Sequence, residues 1–111
     1  MSSSAFSNIP TRVYIGIENL TGNFNFTSSQ DGYYLRWTGT NNITGTFRTN
    51  ATHAITTASV FTAYQAGAGT ITITGAAGVT INGPYESAGQ NSAIQAIKSD
   101  TDVFDVLGGI L

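Results

Sequence analysis

The chain has 111 residues, a length that predicts one domain. Charged residues make up 9% of it, against about 25% in an average soluble domain, so Thr, Ser, Asn and Gln must supply most of the polar surface. The formal net charge is −2 and the cations Arg12, Arg36, Arg48 and Lys98 are scattered, which leaves no basic stripe to neutralise phosphates and argues against nucleic acid as a partner.

Other classes fall to simple counts. There is no Cys, so disulfide staples and Cys-ligated zinc are excluded. No apolar run approaches the roughly 18 residues of a membrane-spanning helix. The first ten residues, "MSSSAFSNIP", lack the basic start and long apolar stretch of a secretion signal, so synthesis in a cytoplasm is expected.

Residues 1–11 read as an extended arm, with three serines in a row, one proline and the apolar residues Phe6 and Ile9. A single β domain is expected over residues 12–111. Val13, Ile15 and Ile17 alternate with Tyr14 and Gly16 in the first strand pattern. Phe24 and Phe26 alternate with Asn23, Asn25 and Thr27. Tyr33, Leu35 and Trp37 share one face of the next run, with Tyr34 and Arg36 on the other. A short run over Thr44–Thr49 carries Phe47, and Phe61–Gln65 reads as a strand. "AGAG" then turns on glycines free to take positive φ. Thr70–Thr74 is predicted as a strand with Ile71 and Ile73 inward. "GAAG" turns again, Val79 and Ile81 open another run, and "NGP" at Asn82–Pro84 stops it.

"NSAIQAIKSD" has the Ala, Gln and Lys content of a short helix, but it is too short for one and reads as a strand. A turn at Ser99–Asp102 leads to a last strand carrying Val103, Phe104, Val106 and Leu107. Many short strands at close spacing predict an all-β sandwich or barrel.

Reactive constellations are sparse. His53 is the sole histidine, and nothing in "TNATHAITT" distinguishes a nucleophile or a carboxylate partner for it. Asp100, Asp102 and Asp105 cluster, yet they lack the Gly and the distant Glu of a calcium loop, so a polar turn is the better reading. Glu18 and Glu86 are far apart in sequence and give no support for a paired-carboxylate glycosidase site. No metal site, cofactor, small-molecule substrate or enzymatic activity is therefore expected. Asn19, Asn25, Asn42 and Asn50 each begin an N-x-T sequon, a pattern that arises easily in an Asn- and Thr-rich chain. Tyr33, Tyr34, Trp37 and Tyr85 could form an aromatic platform for sugars, although the shared parity of Tyr33, Leu35 and Trp37 favours the core for Trp37.

Three segments carry a likeness. "QDGYYLRWTG", "AYQAGAGTITITGAAGVTING" and "AGQNSAIQAIKSDTDVFDVLGG" together resemble a β-sandwich module of bacteriophage virion proteins. The matching positions are Gln30–Asp31–Gly32 in place of the module's D-x-G turn, then Gln65, Gly67, Gly69 and Ile71–Ile73. Gly78–Asn82, Gly89–Lys98 and Phe104–Gly108 complete the pattern. The likeness spans Gln30–Leu111, about three-quarters of the chain, and consists of small and apolar residues. Phe104 stands where the module often has Trp, Asp102 and Asp105 add charge, and the first 29 residues match no part of it.

The resemblance implies a small antiparallel β-sandwich, jelly-roll-like, with an extended N-terminal arm. It implies a capsid decoration (cement) protein, a homotrimer on the outer surface of the phage head with the major capsid protein as partner. A small tail-tip or fibre-tip protein that recognises a host glycan or surface protein is the alternative. No heptads and no internal period are visible for a fibre shaft, which favours the decoration reading. On that reading Phe6, Ile9 and Arg12 are the candidate contacts to capsid or neighbour. Thr70, Thr72 and Thr74 form a candidate intersubunit face.

Overall fold

A computed structural model describes residues 13–109. Among the described residues nine strands form in chain order: β1 (Ile17–Asn19), β2 (Phe24–Asn25), β3 (Tyr34–Trp37), β4 (Ile43–Phe47), β5 (Val60–Gln65), β6 (Ile71–Gly75), β7 (Thr80–Asn82), β8 (Ser92–Asp100) and β9 (Val103–Leu107). One 3-10 turn, Ser28–Gln30, precedes β3. The fold is all-β, and each strand lies where the alternation of apolar and polar residues predicts one. The first is displaced: Val13–Ile15 bend, and β1 begins only at Ile17.

The strands make two mixed sheets. Six strands order as β1-β3-β5-β8-β9-β7 and three as β2-β4-β6. The expected antiparallel pairing is corrected here. Pairs β1–β3, β3–β5, β2–β4, β4–β6 and β7–β9 are parallel, and only β5–β8 and β8–β9 are antiparallel. The chain runs from the larger sheet to the smaller one and back, three times, and each turn lays its strands beside those of the turn before. A parallel pair needs a crossover, and here the other sheet is the crossover.

The turns are unequal. Ile17 pairs with Tyr34, 17 residues on, and Phe24 with Gly45, 21 on. Tyr34 then pairs with Thr62 and Ile43 with Ile71, each 28 on. The loops between strands differ in length, so no fixed period marks the sequence. After β6 the chain closes the stack. β8 pairs along the whole of β5, and Tyr85–Ser87 lies antiparallel beside β6, with the Ile73 N–H donating to Tyr85 O at 2.7 Å and the Ser87 N–H to Ile71 O at 2.9 Å.

One apolar core fills the space between the sheets. Leu35, Phe61, Ala63, Ile94, Ala96, Phe104 and Val106 come from the larger sheet, and Ile43, Phe47, Ile71 and Ile73 from the smaller. At its centre Phe47 stacks on Phe26 at 4.0 Å and on Phe104 at 3.8 Å, and the Phe61 ring meets Phe26 and Phe47 edge-on. Trp37 is buried, as its parity predicts, and its indole N–H donates to Asn41 O.

The "AGAG" turn works differently from the expectation. Gly67 and Gly69 do not adopt positive φ. They are glycines because the backbone comes too close: a Cβ on Gly69 would lie 2.0 Å from Asn41 O, and one on Gly67 would lie 2.4 Å from Thr38 O. The β5–β6 turn is thereby seated directly on the β3–β4 turn. Gln65 supports it from inside. Its side chain is buried, Oε1 accepts from Ser87 Oγ at 2.6 Å, and Nε2 donates to Gly67 O.

Candidate contact surfaces

The motifs that carry chemistry are used internally. His53 Nε2 accepts the Ser28 N–H at 2.9 Å and so satisfies the start of the 3-10 turn. The aspartates serve three separate neighbours: Asp100 accepts from the Thr101 N–H, Asp102 from the Asn50 N–H, and Asp105 from Asn82 Nδ2. Glu18 accepts from Gln30 Nε2. Among the described residues no group of three or more His, Cys, Asp or Glu side chains could hold a metal ion.

Three surfaces remain. The first is an apolar strip at the edge of the larger sheet. Val13, Ile15 and Ile17 are 86%, 66% and 67% exposed. The Ile15 N–H donates to Gly32 O and the Tyr34 N–H to Gly16 O, so the strip is held against the chain that leads into β3. With Tyr14, Gly16 and Tyr34 it lines one open groove. The run "VYIGI" carries no charge. Sequence alternation located this strand, but it could not show that the apolar residues face out.

The second surface is a row of tyrosines on the outer face of the same sheet. Tyr14 and Tyr34 meet edge-on at 5.1 Å, and Tyr34 stacks on Tyr64 at 5.6 Å. Burial raises the Tyr34 phenol above its ordinary pKa, with the Tyr64 and Tyr14 phenols adding to the shift and Arg36 opposing it. Tyr64 Oη donates to Asn91 Oδ1. The aromatic platform expected from Tyr33, Tyr34, Trp37 and Tyr85 is not assembled: Trp37 is core, Tyr33 packs against the core, and Tyr85 donates to Ile81 O elsewhere. Tyr14 and Tyr64 take the places beside Tyr34. Alternation gives each tyrosine a face, but only strand pairing makes them neighbours.

The third surface is the outer face of the smaller sheet. Strand register sets Thr44 beside Thr72 and Thr46 beside Thr74, with Asn25 beside Thr46. The hydroxyls form a grid of about 4.8 Å by about 6.8 Å, the spacing between strands and between alternate residues. Thr74 is exposed and Thr72 half-buried. Thr70 lies just before β6 and is half-buried, its N–H held by Asn42 Oδ1. Thr72 and Thr74 thus share one side of β6, with Thr70 just ahead of it, and Thr44 and Thr46 extend their face. Phe6, Ile9 and Arg12 lie outside the described residues, as does the expected arm.

No protein family, curated protein or solved structure matches the chain.

Proposed function

We propose that the protein is a phage capsid decoration protein, a non-enzymatic homotrimer that binds the major capsid protein on the outside of the head. The apolar strip Val13–Ile15–Ile17 carries this reading. Exposed apolar residues that cluster are characteristic of protein contacts, and this cluster is uncharged and follows directly on the segment that holds Phe6, Ile9 and Arg12. Strip and segment together form the capsid contact. The Thr44, Thr46, Thr72 and Thr74 face forms the contact between subunits, where short side chains let flat surfaces meet. The finer sandwich architecture implied by the resemblance belongs to this same reading, with two sheets over one core in its favour. Binding only the assembled shell stabilises that shell by mass action, and repetition about a symmetry axis adds avidity.

The test is co-sedimentation with undecorated, expanded capsids. Saturable binding at a fixed ratio to the major capsid protein is expected, with loss of binding in an Ile15→Asp/Ile17→Asp variant. Protein that stays in the supernatant at tens of micromolar overturns the reading. The tyrosine row supports the alternative, a tail-tip protein that stacks a host sugar on Tyr14, Tyr34 and Tyr64, because aromatic faces flanked by polar groups suit saccharides. Host-cell adsorption that is lost in Tyr34→Ala would favour it.

A further inference from the structure

Lys98 is the sole lysine of the chain, and it is buried, at 2% exposed. It occupies an inward position of β8, in the same parity as Ile94 and Ala96. Its Nζ sits 2.5 Å from Asn50 Oδ1 and 2.7 Å from Ile55 O, above the Phe104 ring at 5.7 Å from the centroid. Both hydrogen-bond acceptors are neutral. Buried lysines are rare without a carboxylate partner, because a desolvated ammonium is expensive.

Asn50 is equally fixed. The Ile55 N–H donates to the same Oδ1 at 3.1 Å, and the Asn50 N–H donates to Asp102 Oδ1 at 2.6 Å. The backbone beside Lys98 is held on both sides, with the Lys98 N–H donating to Ser59 O and the Ala58 N–H to Lys98 O. A buried primary amine and a half-buried carboxamide are therefore held against each other. The amide carbon is one bond of about 1.2 Å beyond the oxygen that the amine already touches.

We propose that Lys98 and Asn50 join in an intramolecular isopeptide bond. The Nζ lone pair attacks Cγ of Asn50, the Nζ–Cγ bond forms, and the carbonyl electron pair moves onto Oδ1. The Ile55 N–H is already aimed at that oxygen and stabilises the charge that develops there. As the carbonyl re-forms, the Cγ–Nδ2 bond breaks and its electron pair leaves with the nitrogen. The lone pair is freed when the Lys98 ammonium gives one proton to solvent; a second Nζ proton passes to Nδ2 as the bond forms, and the Asn50 nitrogen leaves as ammonia and takes up a proton in water, so atoms, protons and charge balance with no oxidant or co-reactant. Holding the reactants in place converts a slow bimolecular amidation into an intramolecular one. Asp102 is a positioning residue, since it fixes the Asn50 backbone and touches no reacting atom. The bond removes a buried charge from the core and ties the loop after β4 to β8.

Mass spectrometry of the full chain tests this, after purification and again after prolonged incubation at neutral pH. The expected mass is one ammonia below that of the sequence. Trypsin supplies the decisive readout, because no Lys or Arg lies between residues 49 and 97. An amidated Lys98 resists cleavage, so residues 49–111 should appear as one peptide lacking one ammonia. Loss of ammonia with cleavage after Lys98 intact would point to a cyclised asparagine, for instance Asn82 before Gly83, and would overturn the proposal. So would a full mass that persists through the incubation. Asn50→Ala and Lys98→Arg should each restore the full mass, and ammonia loss that survives in either variant also overturns it. The wild-type digest needs neither variant to fold.

Discussion

Phe47 has its ring between Phe26 and Phe104, with centroids 4.0 and 3.8 Å away, and it joins the two sheets. Phe47→Ala should cost about 3–5 kcal/mol in urea unfolding, the range for an aromatic cavity in a core. Gly69 makes the opposite point. A methyl group there meets Asn41 O and Trp37 Nε1, so Gly69→Ala should destabilise by about 1–3 kcal/mol through overpacking. Tyr34 gives a pH signature. Its folded pKa lies above that of the unfolded chain, near 10, so unfolding releases its proton first and stability is lost as pH rises through and above that value. An absorbance titration of the folded protein should show a late phenol ionisation, and Tyr34→Phe should remove it. Much at this scale was legible beforehand. The parity of Leu35 and Trp37 gave their burial, and so did that of Ile71 and Ile73. The pairing of Lys98 with Asn50 was not legible, because 48 positions separate them and no local pattern links a turn asparagine to a strand lysine.

At the scale of elements, the two antiparallel pairings of β8 bury the middle of the larger sheet, whereas β1 and β2 each pair with one neighbour and contribute only three and two residues. Hydrogen exchange should therefore be slowest in β5 and β8 and fastest in β1 and β2. Equal protection across all nine strands would contradict this ordering. The positions of the strands followed from period-2 alternation, because each has one face on the core. Their direction did not. Short glycine-containing connections such as "AGAG" and "GAAG" read as hairpin turns, but they carry the chain across to the other sheet, and a strand that changes sheet returns parallel. The strip Val13–Ile17 misleads in a similar way. Its alternation is that of a buried strand, yet it stands at an edge with its apolar side chains in solvent.

For the whole molecule, the parallel pairs join residues 17 to 28 positions apart, and β5 closes onto β8 across 27 to 37. Loop closure must come before such contacts are gained, so refolding is expected in the millisecond-to-second range rather than in microseconds. Stopped-flow fluorescence of Trp37 would measure it. The low charge matters at this scale too. With a net charge of −2 and an isoelectric point near 4.9, solubility should pass through a minimum close to that pH.

The stacked turns have two unlike ends. At the last turn β5 is capped by β8, and β6 is covered by Tyr85–Ser87. At the first turn β1 and β2 have no further strand beside them among the described residues. Beyond β8 and β9, however, the larger sheet ends on β7, so among the described residues it keeps one free edge on each side, β1 and β7. A strand offered by another chain can add at either, and in a protein with little charge to keep its copies apart the guard against a fibre is the shortness of those two strands, three residues each.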